Sequence, residues 1–440
     1  MSKVIVFEQH HAHAAAIDIG SRQIFVSWDG LNARSYSTFT EGYRQCIEEL
    51  KANGVQRVCM EATGVYWIAL YQMLEESGME VCLVNPKEVK QVKGRKTDVK
   101  DCCWMQKMFS AGLVRQSYIP AGKLKELRML IREREDIISI GSSYVNKMSK
   151  ALELMNIKLS EVLSQIHGVS GMRIIEAILS GERDKDRLLA LCHQSIREKK
   201  ADRVLLALEG SYNDTYLFLL EQNLKLYKVH QQQLLVVDKR IEAILSELQQ
   251  DKEEVQAVHK AKPIRHHKPC IEQLHQKLLD IYGVDANCLP GITDYTLLKL
   301  LGEIGTDMSR FPTEKHFVSW CQLAPGHNQS GLKSKRSRMR NGSRAGQIFR
   351  EIAQGLINSK YIAIGAFIRR LRGRKDAGVA IKAGARKLAI AFYKLLTKGA
   401  EYVEHGVRQY EQQLQQKERN YLRKLATRHG IKLIENQSEI

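Results

Sequence analysis

The sequence predicts an α/β domain with a mixed sheet at its N-terminal end, followed by a longer, mainly helical region. Three observations lead there. Residues 14–39 hold three apolar or alternating runs split by short turns, which read as consecutive antiparallel strands. From 41 to 84, helical and strand patterns alternate, as in an α/β layer. Beyond Ala121 the apolar residues step by three and four, the spacing of amphipathic helices.

Taken in order, AAAIDIGSRQIFVSWD (14–29) reads as two strands joined by a Gly-Ser turn, and ARSYSTF (33–39) as a third. A helix over 41–53 stops at Asn53-Gly54. QRVCME (56–61) is a short apolar strand, GVYWIALYQMLEES a helix, and MEVCLV (79–84) another strand. From Ala121 to about Leu159, Leu124, Leu127, Leu130, Ile131 and Ile138 mark one helical face. Shorter helices are expected around 171–180, 184–197 and 201–209. A second long helix covers 214–249, with Leu217, Leu220, Leu224 and Tyr227, then Leu234, Val237, Ile241, Ile244 and Leu248; its heptad slips phase near Gln231. An antiparallel hairpin, a dimerising coiled coil and a core stripe all fit that pattern. Residues 251–275 are charged, hold Pro263 and Pro269, and lose periodicity, as a linker does. The turn LPGIT (289–293) then separates two helices, and a basic helix over about 400–428 closes the chain. The expected organisation is an α/β catalytic domain over 1–120, a helical or coiled-coil region over 121–250, a linker over 251–280, a mainly helical domain over 281–400 and a basic tail over 401–440.

At 440 residues the chain has room for two or three domains. Its 68 Lys plus Arg against 49 Asp plus Glu leave a net charge of +19, which favours polyanions and makes nucleic acid the leading partner. No apolar run approaches the roughly 18 residues a membrane span needs, so no membrane association is expected. The N-terminus lacks the charged start, apolar core and cleavage site of a signal peptide. Nine cysteines without a CxxC pair suit buried thiols in a reducing cytoplasm rather than zinc sites or disulfides. His10, His11 and His13 have no matching second cluster and read as a solvated tail.

Two features carry chemistry. Asp18 falls near the end of the first strand and Glu61 at the end of the fourth, where α/β sheets gather functional groups. In GRKTDVKD (94–101), Asp98 and Asp101 are spaced i, i+3, on one face of a helix that Thr97 can cap. Local ion pairs with Lys96 or Lys100 would explain each aspartate singly. Four carboxylates together would instead bind two hard divalent cations, which, about 3.5–4 Å apart, clamp a phosphodiester. Lys87, Lys93, Arg95 and Lys96 would then draw in its backbone.

The second feature is the stretch from Gly331 to Arg350, with seven Lys or Arg and no acid. Lys333, Lys335, Arg336, Arg338, Arg340 and Arg344 are candidate phosphate contacts in a basic loop. HNQSG places Ser330 just ahead of it. A serine hydroxyl attacks phosphorus only with help in losing its proton, and the neighbouring sequence offers only His327 as a base. LPGIT with LLGEIG beyond looks like a helix–hairpin–helix element, which either presents backbone N–H groups to phosphates or packs helices together. Tyr295, Phe311 and Trp320 read as core. RRLRGRK (369–375) is a further basic run, either contacting nucleic acid or simply exposed.

The stretches AIDIG, MEATGVYW (60–67), VNPKEVKQVKGRKTDVKD (84–101), GLVRQSYIP (112–120), LPGITDYTLLKLLGEIG (289–305) and APGHNQSGLKSK (324–335) resemble the DEDD-type transposases of the insertion-sequence 110 group, also called bridge-RNA-guided recombinases. The resemblance covers most of the chain. It implies an RNase H-like (RuvC-like) N-terminal domain in which Asp18, Glu61, Asp98 and Asp101 hold magnesium or manganese, and a C-terminal transposase domain. There it implies that Ser330 is the nucleophile, forming a covalent 5′-phosphoserine with DNA. Donor and target DNA, a noncoding guide RNA, a tetramer built from dimers through the middle helices, and a place at the prokaryotic nucleoid are implied as well. The family commonly has Ser-Gly-Gly where this chain has Leu332 after Gly331, and a branched residue restricts the backbone there. Ser334 therefore stands beside Ser330 as an alternative, with Ser330 preferred. Two other readings are a RuvC-like endonuclease or junction resolvase that hydrolyses DNA with water, and a non-catalytic nucleic-acid-binding protein.

Overall fold

In a computed structural model the described residues are 10–62, 64–84, 97–114, 116–120, 122–325, 328–330, 333–335, 342–359 and 362–431. They form two compact units, Met1–Ile119 and Pro120–Ile440.

The first unit runs β1 (Ala14–Ile19), β2 (Gln23–Ser27), β3 (Arg34–Ser37), α1 (Thr40–Ala52), β4 (Arg57–Glu61), α2 (Trp67–Glu76), β5 (Glu80–Val84) and α3 (Asp98–Ser110). Its sheet has the order β3-β2-β1-β4-β5. β1, β2 and β3 pair antiparallel, whereas β1, β4 and β5 pair parallel. The short turn after Gly20 permits only an antiparallel return, while α1 supplies the long crossover that parallel β4 needs. Both faces of β1 are covered, so it reads as continuously apolar rather than alternating. Ala15, Ile17 and Ile19 pack with Ile47 and Leu50 of α1 and Leu70 and Leu74 of α2. Ala14 and Ala16 face the other way, with Cys59 and Cys82, against Cys102, Met105 and Phe109 of α3. The mixed sheet therefore stands as the sequence predicts.

The histidine tract does not form a solvated tail at its described end. The N–H groups of His10 and His11 donate to the Ser110 carbonyl at 2.8 and 2.9 Å. The His11 ring also lies 5.4 Å from that of Phe109. These partners lie about a hundred residues away in the chain, where no local pattern points to them. All nine cysteines are free and seven are buried, as their scatter suggests.

The second unit is mainly helical: α4 (Lys123–Leu154), α5 (Leu159–Val162), α6 (Val169–Leu179), α7 (Lys185–Ala190), α8 (Gln194–Ala207), α9 (Asp214–Gln249), α10 (Leu274–Tyr282), a 3-10 turn (Ala286–Cys288), α11 (Asp294–Ile304), α12 (Glu314–Trp320), α13 (Arg344–Gly355), α14 (Ala363–Arg372), α15 (Ala377–Lys398) and α16 (Ala400–Arg428). Two short strands, β6 (Asn328–Ser330) and β7 (Lys333–Lys335), pair between α12 and α13. The long helices α4 and α9 run antiparallel: Lys123 meets Glu247 at 2.9 Å, Arg134 meets Asp238 at 2.5 Å, and the rings of Tyr144 and His230 lie 5.1 Å apart. Within the chain they thus form a hairpin, one of the arrangements their periodicity leaves open. Met148, Leu152, Leu220 and Leu224 share a core with α5–α8, and Leu127, Ile131, Ile241 and Ile244 share another with α10–α15.

Two boundaries differ from the sequence expectation. The helix expected over 184–197 breaks after Ala190, because the His193 ring accepts from the Ser195 N–H and starts α8 afresh. The break expected near 200 is instead a kink at Lys200 inside α8. Between α9 and α10 there is no regular element, yet the segment is tied down. Asp280 accepts from the Val255 N–H (2.9 Å), Asp285 from those of Val258 and His259 (3.1 and 2.8 Å), and Asp238 from that of Cys270 (2.8 Å).

Arg134 and Asp238 are both fully buried, and Arg134 also donates to the His267 carbonyl at 3.0 Å. Removing one partner strands a buried charge, a loss of about 3–5 kcal/mol. Urea unfolding should show Arg134→Met destabilised on that scale, and Arg134→Met/Asp238→Leu less so than the sum of the two single changes. Strict additivity would mean that the two groups are not coupled.

Candidate active site

Asp18 is the penultimate residue of β1 and Glu61 the last of β4. The parallel register runs from Ala14 opposite Arg57 to Ile17 opposite Met60, so one further step sets Asp18 beside Glu61. Side chains alternate along a strand. Asp18 therefore shares the face of Ala14 and Ala16, and Glu61 that of Cys59, which is the face α3 covers. Both carboxylates stand at the C-terminal ends of adjacent parallel strands, the edge at which α/β sheets bind ligands.

Helix α3 brings the other two. Thr97 caps it, its hydroxyl accepting from the Lys100 N–H at 3.3 Å. The Cys102 thiol donates to the carbonyls of Ala16 (3.3 Å) and Phe25 (3.1 Å). The Gln106 amide donates to the carbonyls of Ala14 (3.0 Å) and Trp28 (3.1 Å) and to the Ser110 hydroxyl (2.9 Å). Four residues of helix rise about 6 Å, and two residues of strand about 6.6 Å. Gln106 at Ala14 and Cys102 at Ala16 thus march in step, in opposite directions, and the next pair in the series is Asp98 at Asp18. Asp101 follows on the same side of the helix.

The electrostatics agree with that register. Burial first, and then the charges of Glu61, Asp98 and Asp101, push the Asp18 carboxyl up to about 6. Four acids are brought within mutual influence, and among the described residues neither Asp98 nor Asp101 has an ion-pair partner. A local salt bridge to Lys100 is therefore not formed, while Lys96, the other local partner considered, lies outside the described residues. An all-oxygen, all-anionic set suits a hard divalent cation in kind. Among the described residues, however, no three such side chains are already arranged to hold one. Burial keeps the Cys102 thiol strongly protonated, so it serves as a donor that anchors α3 and not as a nucleophile. Cys102 and Gln106 were missed in the sequence. Their signal is the stripe 98, 102, 106, 110, which continues the face of Asp98 in steps of four.

In the second unit, the expected basic loop contains a hairpin. Ser330 ends β6 opposite Lys333, and Ser334 lies on β7 opposite Gln329. Lys333 and Lys335 are described as strand backbone; Lys87, Lys93, Arg95, Lys96, His327, Arg336, Arg338 and Arg340 lie outside the described residues. Arg344, at the start of α13, approaches Glu135 of α4 at 3.7 Å and stays half-exposed. In the LPGIT turn, Leu289 and Ile292 are fully buried. Gly291 has φ +74°, and a side chain there would press on Ile352 and Leu356 of α13. That turn packs helices together. Phe311 joins the rings of Phe317 and Trp320, and Tyr295 lies under Arg134, as core residues do. Of the basic run, Arg369 is structural, donating to the carbonyls of Ile357 and Ser359 at 2.7 and 2.6 Å, while Arg370, Arg372, Arg374 and Lys375 are exposed.

Two family models match the chain. A DEDD model of IS110 type, described as a transposase, matches residues 9–157, which hold all four carboxylates. A model described as transposase, IS116/IS110/IS902 family, matches residues 287–363, which hold both serines and the LPGIT turn. A search of curated proteins finds no match. No helix among the described residues is long and apolar enough to cross a membrane. With the DEDD model and the IS116/IS110/IS902 model matched in succession over about half its length, the chain belongs to the IS110 family of transposases.

Proposed function

We propose that this DNA transposase cuts and rejoins strands with two cooperating groups: the carboxylates Asp18, Glu61, Asp98 and Asp101, and the Ser330 hydroxyl. The observation that carries the first is the gathering of the Glu61, Asp98 and Asp101 charges around half-buried Asp18. Such an arrangement is costly alone and is relieved by divalent cations, magnesium or manganese, two of them on the family pattern. When bound, these would stabilise charge on the attacking and leaving oxygens of a phosphodiester. The antiparallel β1–β3 meander continued by parallel β4 and β5 supports an RNase H-like, RuvC-like reading of this unit.

Ser330 is the preferred nucleophile over Ser334 because it ends β6 at the hairpin turn, ahead of the acid-free basic stretch. Its Oγ gives up a proton and bonds to phosphorus while the bond from phosphorus to the 3′ oxygen breaks. The 3′ oxygen takes up a proton, leaving a 5′-phosphoserine. Attack by another 3′-hydroxyl reverses the step, releases the serine and joins a new strand. Lys333, Lys335, Arg336, Arg338, Arg340 and Arg344, with Lys87, Lys93, Arg95 and Lys96, would hold the donor and target backbones. A noncoding RNA would guide the choice of DNA. Copies would meet through the α4–α9 hairpin, where Ile140, Leu226, Val229 and Val236 leave apolar surface exposed, and would build dimers into a tetramer.

The test is recombination of two cognate DNAs with the flanking RNA and Mg²⁺, with trapping of any protein–DNA adduct. Ser330→Ala should lose adduct and product together. Asp98→Ala should lower product on the order of 10²–10³-fold, as removal of one transition-state stabiliser does. Full product from Ser330→Ala would leave hydrolysis by water as the reading.

A stability measurement checks the carboxylates separately. The raised Asp18 value means that ionisation opposes folding fully above pH 6, and that the penalty fades as pH falls through 6 towards the ordinary value of 3.8. Without divalent cation at pH 7.5, Asp18→Asn should raise the melting midpoint by about 2–4 °C, discounted for part-exposure, with the gain shrinking towards pH 4. Added Mg²⁺ should raise the midpoint of the wild type more than that of the variant. Equal midpoints throughout would remove the crowded-carboxylate reading.

A further inference from the structure

We propose that Arg350 and Lys382 form a phosphate cradle at the foot of the excursion bearing Ser330, taking a backbone phosphodiester of the strand next to the one the serine attacks. The location of that neighbouring phosphate rests on the serine reading above; the cradle itself rests on the following geometry.

The chain leaves the core at buried Cys321 and returns at Gly346, and the two are in contact: a Cβ on Gly346 would lie 2.0 Å from the Cys321 carbonyl oxygen. The segment with β6 and β7 therefore starts and ends at one place. Gly342 is the last residue before the Ser343 cap of α13, and a Cβ there would lie 2.5 Å from a guanidinium nitrogen of Arg350. Arg350 thus reaches back along α13 to the returning end of the excursion. Helix α15 crosses close by. At Gly384 a Cβ would sit 3.5 Å from that of Ala353 and crowd Ile368. Ala353 is about one turn beyond Arg350, and Lys382 lies about half a turn before Gly384 on α15, so both cations belong to helices that meet at this tight crossing.

Both cations are half-buried. Burial, and then the Arg350 charge, push the Lys382 ammonium below its ordinary range. Arg350 donates to the Gln347 side chain at 3.1 Å, and among the described residues neither cation has a carboxylate partner. Glu351, next in the chain, is committed to Lys299 at 2.9 Å. Lys299 makes the contrast: burial opposes its charge as well, yet Glu351 and Glu135 hold its ammonium above the ordinary range. The same unit neutralises one buried lysine with two acids and gives Lys382 a second cation instead. Two partly desolvated like charges are unfavourable unless an anion lies between them. A tetrahedral phosphodiester oxyanion fits such a guanidinium–ammonium pair.

The full chain should be titrated with duplex DNA, single-stranded DNA and an RNA hairpin over a range of salt. Arg350→Gln and Lys382→Gln should each flatten the slope of log affinity against log salt by about 1 on the polymer the cradle holds, and the pair by about 2. Lys382→Arg should restore the slope. Melting midpoints should stay level or rise, since a repulsion is removed, whereas a purely structural pair would lower the midpoint and leave the slope alone. Should Arg350→Gln fail to fold, Lys382→Gln decides alone. Ser330→Ala keeps the wild-type slope, so loss of the serine reading in the adduct assay is distinguishable from loss of the cradle. Unchanged slopes for the double variant on all three polymers overturn the proposal.

Discussion

The acid centre depends on one alignment, that of α3 along β1. Four carboxylates repel one another, and uncharged groups further down the helix hold its position against that repulsion. The Gln106 amide is buried and spans two strands and its own helix. The Cys102 thiol bonds to two carbonyls of neighbouring strands. A buried amide left without these partners carries its full desolvation cost, of about 1–3 kcal/mol, so the alignment is specific as well as tight. Ala14 and Ala16 contribute by being small, which lets the helix lie close enough for the bonds to form. Gly30 contributes in the same way: a Cβ there would strike the Gln106 side-chain oxygen at 2.5 Å. The residues that position the acids are therefore uncharged, and they lie one and two turns away from Asp98.

Much of this was legible in the sequence because it is local. Strand alternation, the Asn53-Gly54 stop, the Thr97 cap and the i, i+3 spacing of Asp98 and Asp101 are each set within a few residues. The long helix α9 begins and ends where its apolar steps begin and end, because packing on α4 follows its period. What was not legible depends on partners distant in the chain. The N–H groups of His10 and His11 are satisfied by Ser110, and the irregular stretch after α9 by Asp238, Asp280 and Asp285. That stretch reads as a linker because its order comes from side chains borrowed from other elements, which leave no periodicity. The β6–β7 pairing escaped for another reason. Each strand is three residues long, and its polar, basic composition carries no apolar alternation.

Buried charge is handled in two opposite ways, and the difference separates structure from function. Arg134 and Lys299 are buried or nearly so and Arg132 is partly buried, and each is matched: Arg134 by Asp238, Arg132 in two-pronged fashion by Glu303 (2.8 and 2.9 Å), Lys299 by Glu351 and Glu135. Matched pairs of this kind hold α4, α9, α11 and α13 in register, and they leave no field to act on a ligand. Asp18 feels three like charges from its acidic neighbours, and Lys382 a like charge from Arg350. A like-charged, half-desolvated cluster costs folding free energy, which a fold tolerates where a ligand of the opposite sign completes it. The signs also fit one substrate. A phosphodiester backbone carries fixed negative charge that cations can hold along its length. At the reacting phosphate, bare carboxylates would repel it, and only a bridging cation turns them into a catalytic surface. Negative clusters therefore belong where bonds change and positive ones where the strand is merely held, which is the division of labour proposed for the edge of β1 and the crossing of α13 with α15.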